Sequence, residues 1–317
     1  MTRVVTLAGG TGGAKLAAGL AAVLPPGSLT VIANTGDDVE RHGLLVMPDH
    51  DAILYMLGDR FDHERGWGQL DETWVVMDGL KAYGEEAWFG LGDRDFATHI
   101  ARSARIRDGA TVTDAVLALQ AAVGLATRIL PMADEPVRTQ VLTDDGWLDF
   151  QEYFVHRHQG PEVHEVRFAG IEAARPTAAV LAALGDADVI VIGPSNPIVS
   201  LGPILAVPGM ADAIAGARER GVLVLTVSGI IGGKALKGPA DRMLVSLGHD
   251  ASAVGVARLL APHTDTFVLD TVDAALEPAI ADLALATHVT DTIMADAEGR
   301  ARLADDLLAL ARAGVTP

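Results

Sequence analysis

The feature that most constrains the fold is a short apolar run that leads through a glycine cluster into an Ala- and Leu-rich stretch. Residues 3–8, RVVTLA, predict a buried β-strand, and residues 14–23, AKLAAGLAAV, have the composition and period of a helix. A strand joined to a helix by a short turn is the unit from which parallel sheets are built. The start of the chain therefore predicts an α/β fold.

The same alternation returns along the chain. Segments with the pattern of buried strands are residues 29–34, 187–193, 221–228 and 265–270. A terminal helix is predicted at about 301–313. We therefore expect a Rossmann-like, doubly wound, mostly parallel sheet within a single domain, residues 1–317.

Two segments interrupt this pattern. Residues from about 51 to 130 are mostly helical in period and predict an insertion. In residues from about 131 to 165, the alternating strings VRTQVLT and WLDFQEYF are joined by the turn DDGW, which predicts a hairpin in a small β excursion. The predicted core is thus about 1–50 and 165–317.

Composition and charge exclude several classes of protein. The 317 residues are 50% hydrophobic, which is too apolar for a disordered chain. The net charge of −18 would repel a phosphate backbone, so we expect no nucleic-acid partner. The chain has no cysteine, which excludes disulfides and thiolate chemistry and fits a reducing cytoplasm. We also predict no membrane span, because no apolar run approaches the ~20 residues that a bilayer requires.

The glycine cluster is the first candidate site. Between the first strand and its helix lies LAGGTGGAK, with candidate residues Gly9, Gly10, Thr11, Gly12, Gly13 and Lys15. Glycines let the backbone approach a phosphate, and the following helix N-terminus offers free N–H groups. The string matches neither a P-loop nor a Rossmann fingerprint. A tight turn without a ligand is the alternative.

Two pairs of aspartates follow the second predicted strand. Asp37 and Asp38 end the string ANTGDD, and Asp49 and Asp51 begin the helical string PDHDAILYML. α/β sheets bind ligands at the carboxyl ends of their strands, and Mg²⁺ prefers oxygen ligands that it shares with substrate phosphates. We therefore expect a magnesium site or a general base among these carboxylates; a turn or a helix cap is the alternative.

Two later loops also follow predicted strands. GPSNP presents Ser195 and Asn196 on a turn that its prolines make rigid, which suits recognition of a base, a ribose or a phosphate. SGIIGGKALKGPADRM carries Lys234 and Lys237, which could close over a diphosphate. An ordinary proline-rich turn and a solvated loop are the respective alternatives.

Aromatic residues make up only 4% of the chain but cluster in the helical insertion. The simpler prediction is that they form the core of this insertion. Trp67, Trp88 and Phe89 lie beside glycines, so a flat aromatic ligand bound among them is the alternative.

Taken together, these strings resemble the 2-phospho-L-lactate transferase family of CofD type, and especially its actinobacterial (FbiA) branch. The strings that carry the resemblance occur in order: GGTGGAKL, NTGDD, PDHDAILYML, RGWGQLDETW, WFGLGDRDFATHI, RDGATVTDAV, ILPMADEPVRT, FQEYFV, GPSNPIVSLGPILAVPGM and GIIGGKALKGPADRML. Because they span most of the chain, they are more specific than any single glycine loop.

The resemblance implies a magnesium-dependent step in the synthesis of the deazaflavin coenzyme F-420. The acceptor would be Fo, a deazaflavin with a ribityl chain, and the donor would be GDP linked to an enolpyruvyl or lactyl group. The terminal ribityl hydroxyl would attack the distal phosphorus, and GMP would leave. The family further implies a cytoplasmic homodimer and a guanylyltransferase partner that forms the donor.

The resemblance also implies roles for individual residues. Gly9 to Gly13 with Lys15 would hold the diphosphate, and Asn34, Ser195 and Asn196 would hold the guanosine or its phosphates. The expected metal ligands are Asp37, Asp38 and Asp49. Asp51, which would face Fo, and Asp37 are the expected catalytic residues, and Trp88 would contact the deazaflavin ring.

Two other functions compete with this one. UDP-sugar-binding regulators of the same superfamily share the glycine loop but lack PDHDAILYML and LGDRDFATH. An NAD(P)-dependent oxidoreductase would need a third glycine where Lys15 stands and an acidic residue at the end of the second strand. Both comparisons favour the transferase.

Overall fold

The structure, a computed structural model, describes residues 2–314, so residues 1 and 315–317 of the predicted domain lie outside the described residues. The strands are β1 (Val4–Ala8), β2 (Leu29–Ala33), β3 (Val39–Arg41), β4 (Leu44–Val46), β5 (Arg128–Pro131), β6 (Arg138–Thr143), β7 (Gly146–Asp149), β8 (Glu165–Ala169), β9 (Val189–Ile192), β10 (Leu223–Val227), β11 (Ile230–Ile231), β12 (Lys234–Ala235), β13 (Thr266–Asp270) and β14 (Ala286–Thr290).

The helices alternate with these strands. The α-helices are α1 (Gly10–Val23), α2 (Pro48–Leu57), α3 (Val75–Ala82), α4 (Asp93–Arg107), α5 (Val112–Ala122), α6 (Ala178–Asp186), α7 (Leu201–Ala206), α8 (Met210–Glu219), α9 (Ala240–Ser246), α10 (Ala253–Leu260), α11 (Glu277–Ala281) and α12 (Ala297–Gly314). A π-helix covers Glu152–His156. Within the described residues, no helix is both long and apolar enough to cross a bilayer.

A parallel sheet forms the centre of the molecule, in the order β14-β13-β10-β9-β1-β2-β5. All neighbouring strands in this sheet pair in parallel. From β1 the chain proceeds outward to β2 on one side, and from β9 it proceeds outward to β10 on the other. The predicted α/β, doubly wound sheet is therefore confirmed, and its strand order reverses between β1 and β9.

Helices cover both faces of this sheet. Along β1, Val5 and Leu7 pack on the side of α6 and α8, whereas Val4 and Ala8 pack on the side of α1 and α12. A strand buried on both faces has no polar alternation, which is why the sequence of β1 is a continuous apolar run. Because helices cover both faces, the carboxyl ends of the strands are the part of the sheet that is available to bind a ligand.

Several predicted boundaries differ in the structure. Strand β5 pairs with β2 in the central sheet, so the sheet resumes within the predicted insertion of about 51–130. Helix α1 begins at Gly10, four residues before its predicted start, so the glycines form its first turn. The hairpin of β6 and β7 is present, but the residues after Asp149 are helical and include the π-helix. Phe150 and Tyr153 pack in one buried cluster with Val141, and their spacing of three matches a helix rather than a strand.

A short hairpin, which the sequence analysis did not predict, separates the insertion from the end of the sheet. Strands β3 and β4 pair so that Glu40 lies opposite Leu45 and Arg41 lies opposite Leu44. Residues directly opposite each other share a face of a hairpin, so these two pairs point to opposite sides. Leu44 belongs to a buried cluster with Phe96 of the insertion, and Glu40 and Leu45 line a cleft on the other side.

Candidate active site

The glycine turn after β1 packs against the loop that follows the neighbouring strand β9. A Cβ atom on Gly12 would lie 2.3 Å from the carbonyl oxygen of Pro194, and one on Gly13 would lie 2.7 Å from Ser195 Oγ. The Ser195 hydroxyl accepts the Gly9 N–H at 3.1 Å and donates to the Gly9 carbonyl at 2.8 Å. The glycines thus let α1 begin directly against the β9 loop.

A crevice lies at the carboxyl ends of the strands, and the N-terminus of α1 forms its electropositive side. Its N-cap, Gly9, supplies no side chain to the free N–H groups of the first turn. Lys237 reaches it from the loop before α9, and its ammonium group donates to Thr11 Oγ1 at 3.3 Å and to the carbonyl of Gly66. Burial and the nearby charge of Lys15 both lower the pKa of Lys237. The helix end and two lysines together suit a diphosphate.

Asn34 and Asn196, predicted to hold the nucleotide, are engaged within the protein. Asn34 is fully buried, donates to Asp49 Oδ2 at 2.9 Å and accepts the Gly36 N–H at 2.8 Å. The side-chain oxygen of Asn196 accepts the N–H groups of Ile198 and Val199. In this structure both amides therefore shape the loops around the crevice.

Asp37, Asp38 and Asp49 lie together at the end of β2 and the start of α2, and each is buried. Among the described residues, Oδ1 of Asp37 and Oδ1 of Asp38 find no hydrogen-bond partner. Burial raises the pKa of Asp37 well above its usual range, and the charge of Asp49 adds to this effect. Burial also raises the pKa of Asp38 well above its usual range, and raises that of Asp49 to about 6. Such crowded, under-satisfied carboxylates suit a cation.

The donor set fits Mg²⁺ only in part. Oxygen ligands are the ones that magnesium prefers, and two buried oxygens here lack partners. Among the residues the structure describes, however, no three His, Cys, Asp or Glu side chains are placed to hold a metal ion by themselves. A magnesium ion here would complete its coordination with substrate oxygens and water, as it commonly does.

Asp51, which was expected to face the acceptor, lies in a buried ion pair. Its two oxygens accept hydrogen bonds from Arg102 of α4 at 2.7 and 2.8 Å, and Arg102 also donates to the carbonyl of Leu45 at 2.9 Å. Burial alone would raise the pKa of Asp51, but the Arg102 charge and hydrogen bonds from His50 and Arg102 outweigh it and hold this pKa well below its usual range. The carboxylate is therefore permanently ionised and already paired.

Trp88, the predicted contact of the ring, is half-buried in a stack of side chains. The Arg41 guanidinium lies 4.0 Å from the centre of its ring, and the His156 ring stacks on it at 4.8 Å with an angle of 9° between the planes. The stack joins three segments: strand β3, the loop before α4 and the π-helix. A flat ligand that binds here would extend or replace this stack.

Sequence reasoning missed Arg102 and Arg138 as site residues. Arg102 follows His99 by one helical turn on α4, and both are buried. An interior arginine in a helical string, spaced three residues from a histidine, was the available signal. Arg138 opens β6, and its charge acts on Asp38. Its string, ADEPVRT, resembles an ordinary turn before a strand, so nothing local to it indicated the site.

Comparison of the sequence with known proteins finds relatives along almost the whole chain. A family model described as 2-phospho-L-lactate transferase CofD matches residues 4–306. A protein of Kitasatospora aureofaciens, named phosphoenolpyruvate transferase, is 42% identical over 316 residues, which cover 98% of both chains. A protein of Methanosarcina barkeri, named 2-phospho-L-lactate transferase, is 38% identical and covers 97% of this chain and 98% of its own.

A solved structure supports the fold alone. The crystal structure of a UPF0052 family member from Bacillus halodurans superposes with a TM-score of 0.67 and covers 97% of this chain and 100% of that one. Its sequence identity is only 17%, so it carries no argument about the activity.

Proposed function

Because this chain belongs to the CofD family and is a phosphoenolpyruvate/2-phospho-L-lactate transferase, we propose that it transfers the phospho-acid from a GDP-linked donor to the deazaflavin Fo. The ribityl hydroxyl oxygen of Fo forms a bond to the distal phosphorus. The bond from that phosphorus to the bridging oxygen breaks, and GMP leaves with the electron pair. The product is a phosphodiester of the coenzyme F-420 type.

One observation carries this proposal: the N-terminus of α1, with two lysines near it, lies directly beside a buried group of aspartates at the carboxyl ends of β1 and β2. Phosphoryl transfer needs the reacting groups to be positioned and their charge to be offset, and this crevice supplies both signs of charge for that purpose. The first turn of α1, with Lys15 and Lys237, would bind the diphosphate of the donor. A dinucleotide oxidoreductase would need one acidic residue at the end of the second strand, not a buried group of three.

Asp38 and Asp49 are the residues that we propose as magnesium ligands. Burial raises the pKa of both carboxyls, whereas the charges of Arg138 and Arg102 at Asp38, and the hydrogen bonds from Asn34 and the Gly10 N–H at Asp49, act in the opposite direction. A bound cation would add to this stabilisation of the charged forms. When bound, the ion would offset the negative charge on the diphosphate and on the departing GMP. Asp37, the third ligand predicted from the sequence, is the alternative magnesium ligand in place of either of them.

We assign the proton of the ribityl hydroxyl to Asp37 rather than to Asp51. Within residues 2–314, Oδ1 of Asp37 has no hydrogen-bond partner, so it is available to accept a hydrogen bond from the acceptor. Both oxygens of Asp51 already accept from Arg102. Asp51 would instead position α2, the helix that also carries Asp49. The predicted catalytic role of Asp51 is in this way replaced by a positioning role.

The aromatic cluster of the insertion is the proposed seat of the deazaflavin ring, with Trp88 and Phe89 as contacts. Their rings are nearly perpendicular, with centroids 5.8 Å apart, and aromatic faces of this kind suit packing of a flat ring. A homodimer, a cytoplasmic location and a guanylyltransferase that supplies the donor complete the proposal.

The experiment is a coupled assay read by mass spectrometry. Purified protein is mixed with Fo, Mg²⁺ and donor made in place from GTP and either phosphoenolpyruvate or phospholactate by a guanylyltransferase. We expect a product equal to Fo plus the phospho-acid, release of GMP, and loss of both on addition of EDTA.

Two variants make this assay specific. Asp37→Asn should lower kcat at least about 100-fold, as expected for a general base, while the exposed Asp78→Asn should leave turnover unchanged. Confirmed donor and folded protein without product, together with stabilisation by UDP-sugars rather than by GDP, would replace the transferase with a sugar-nucleotide-binding regulator.

A further inference from the structure

A cleft of about 380 Å³ lies on the side of the β3–β4 hairpin that faces away from the aromatic cluster. Its lining includes Asp38, Glu40, Leu45, Ser103, Arg107 and Arg138. Asp38 is one of the proposed magnesium ligands, so the cleft lies beside the proposed site of transfer. It is large enough for a small anionic group.

Arg138 is held rigidly at the inner end of this cleft. The next residue, Thr139, donates its backbone N–H to the carbonyl of Gly36 at 2.7 Å, which ties the start of β6 to the turn that carries Asp37 and Asp38. A Cβ on Gly36 would lie 2.6 Å from Thr139 Oγ1, so this contact is close. The backbone of Arg138 is therefore fixed with respect to the aspartates.

The guanidinium of Arg138 is largely unused by the protein. Within residues 2–314 its hydrogen bond is the one from Nη1 to the carbonyl of Val137, and no carboxylate lies within ion-pair distance. The nearby Asp134 is already engaged, because its Oδ1 accepts the N–H and hydroxyl of Thr113. Arg138 thus keeps most of its N–H groups for a ligand.

The other cationic side chains near the crevice differ from Arg138 in their partners or their positions. Arg102 is completely buried, and both carboxylate oxygens of Asp51 and the carbonyl of Leu45 use its N–H groups. Lys15 lies in the second turn of α1, and Lys237 contacts Thr11 in its first turn. Arg107, at the end of α4, also lines the cleft, but Arg138 is the cation whose charge acts most strongly on Asp38.

This inference rests on the proposed function. The transferred group carries a carboxylate only a few bonds from its phosphorus, and a buried carboxylate needs a partner. We propose that Arg138 recognises the carboxylate of the transferred three-carbon acid. An arginine suits this task because its planar fork matches a carboxylate with two parallel hydrogen bonds, which a lysine cannot form. Arg138 would therefore select donors that carry this carboxylate.

The test compares Arg138→Gln and Arg138→Lys with Arg167→Gln in the transfer assay. Arg167 is an exposed residue of β8 in the same small sheet, and its substitution makes the same change of charge away from the cleft. For Arg138→Gln we expect the KM for the donor to rise about 10- to 100-fold, with inhibition by GDP changed less than about twofold. The donor KM of Arg138→Lys should lie between those of the wild type and Arg138→Gln, and the donor KM of Arg167→Gln should equal that of the wild type.

A binding measurement gives a second readout that does not depend on turnover. By calorimetry the wild type should bind the phosphodiester product more tightly than Fo, and Arg138→Gln should lose most of this difference while keeping its affinity for Fo. A wild-type protein that forms no product overturns the proposed function and this inference with it. Turnover by the wild type with an unchanged donor KM in Arg138→Gln overturns the inference alone.

Discussion

Asp49 and Asp51 lie two residues apart on helix α2, yet their surroundings give them opposite electrostatic character. Burial raises the pKa of Asp49 to about 6. Its hydrogen-bond partners, Asn34 and the Gly10 N–H, are neutral and offset this effect only in part. Asp51 is equally buried but is paired with Arg102 through two hydrogen bonds. One carboxylate is therefore available to a cation, and the other is already neutralised by the protein.

Asp51→Asn should consequently act on stability. It leaves the guanidinium of Arg102 buried without its counter-ion, which should lower the free energy of unfolding by about 3–5 kcal/mol. Chemical denaturation measures this change, and Asp78→Asn on the exposed face of α3 is the control. An Asp51→Asn protein of unchanged stability with much reduced kcat would instead restore a direct catalytic role for Asp51.

Asp95 offers a test of pH dependence away from the magnesium ligands. Burial, and then the charge of Glu72, raise the pKa of Asp95 to about 7. The folded protein therefore binds a proton more tightly than the unfolded chain, so stability should fall as the pH rises from about 4 to about 7. Asp95→Asn removes this contribution, which is at most about 4 kcal/mol.

The measurement for Asp95 is the difference in unfolding free energy between pH 5 and pH 8. We expect this difference to be smaller in Asp95→Asn than in the wild type, because the variant no longer carries the ionised group at the higher pH. Equal differences in the two proteins would mean that Asp95 has an ordinary pKa.

At the scale of elements, the contact between α1 and the loop after β9 positions the site. A Cβ atom added to Gly12 would meet a backbone carbonyl, which cannot turn aside as a side chain could. Gly12→Ala should therefore push the helix away from the β9 loop, destabilise the protein by roughly 1–3 kcal/mol and weaken GDP binding at least tenfold.

Gly79→Ala is the matched control for Gly12→Ala. Gly79 also lies within a helix, but a Cβ there meets nothing within 4 Å. Alanine should stabilise this position by about 0.5–1 kcal/mol, because it restricts the unfolded chain. Calorimetric titration with GDP measures the affinity of each variant, and thermal unfolding measures its stability. Together they separate the effect of close packing at Gly12 from the effect of alanine on helix propensity. Equal effects of the two substitutions would contradict the packing argument.

Elements of regular period could be predicted from sequence, whereas contacts between distant segments could not. The strand at residues 4–8 and the turn of the β6–β7 hairpin have local signals, so both were predicted. The start of α1 was missed because glycine is a poor helix former, and only the packing against Pro194 explains it. The ion pair of Asp51 was not predicted, because its partner, Arg102, lies 51 residues further along the chain.

At the scale of the whole molecule, the charge of −18 is a property of the surface as well as of the site. Charges of one sign repel each other within a compact protein, and salt screens this repulsion over about 10 Å at 0.1 M. We expect the Tm in EDTA to rise when NaCl increases from about 10 to 150 mM. Choline chloride should have the same effect, and a falling Tm would mean that attractive pairs dominate.

The β3–β4 hairpin shows how closely the two sides of the site depend on each other. Glu40 and Arg41 are neighbours in sequence, but one borders the cleft with Arg138 and the other lies over Trp88. In a strand, a shift of one residue exchanges the two faces completely. Insertion or deletion of a single residue in β3 would therefore exchange the side chains that face the cleft with those that face Trp88. A substitution alters only one face, so the hairpin accommodates substitutions far more readily than a change of length.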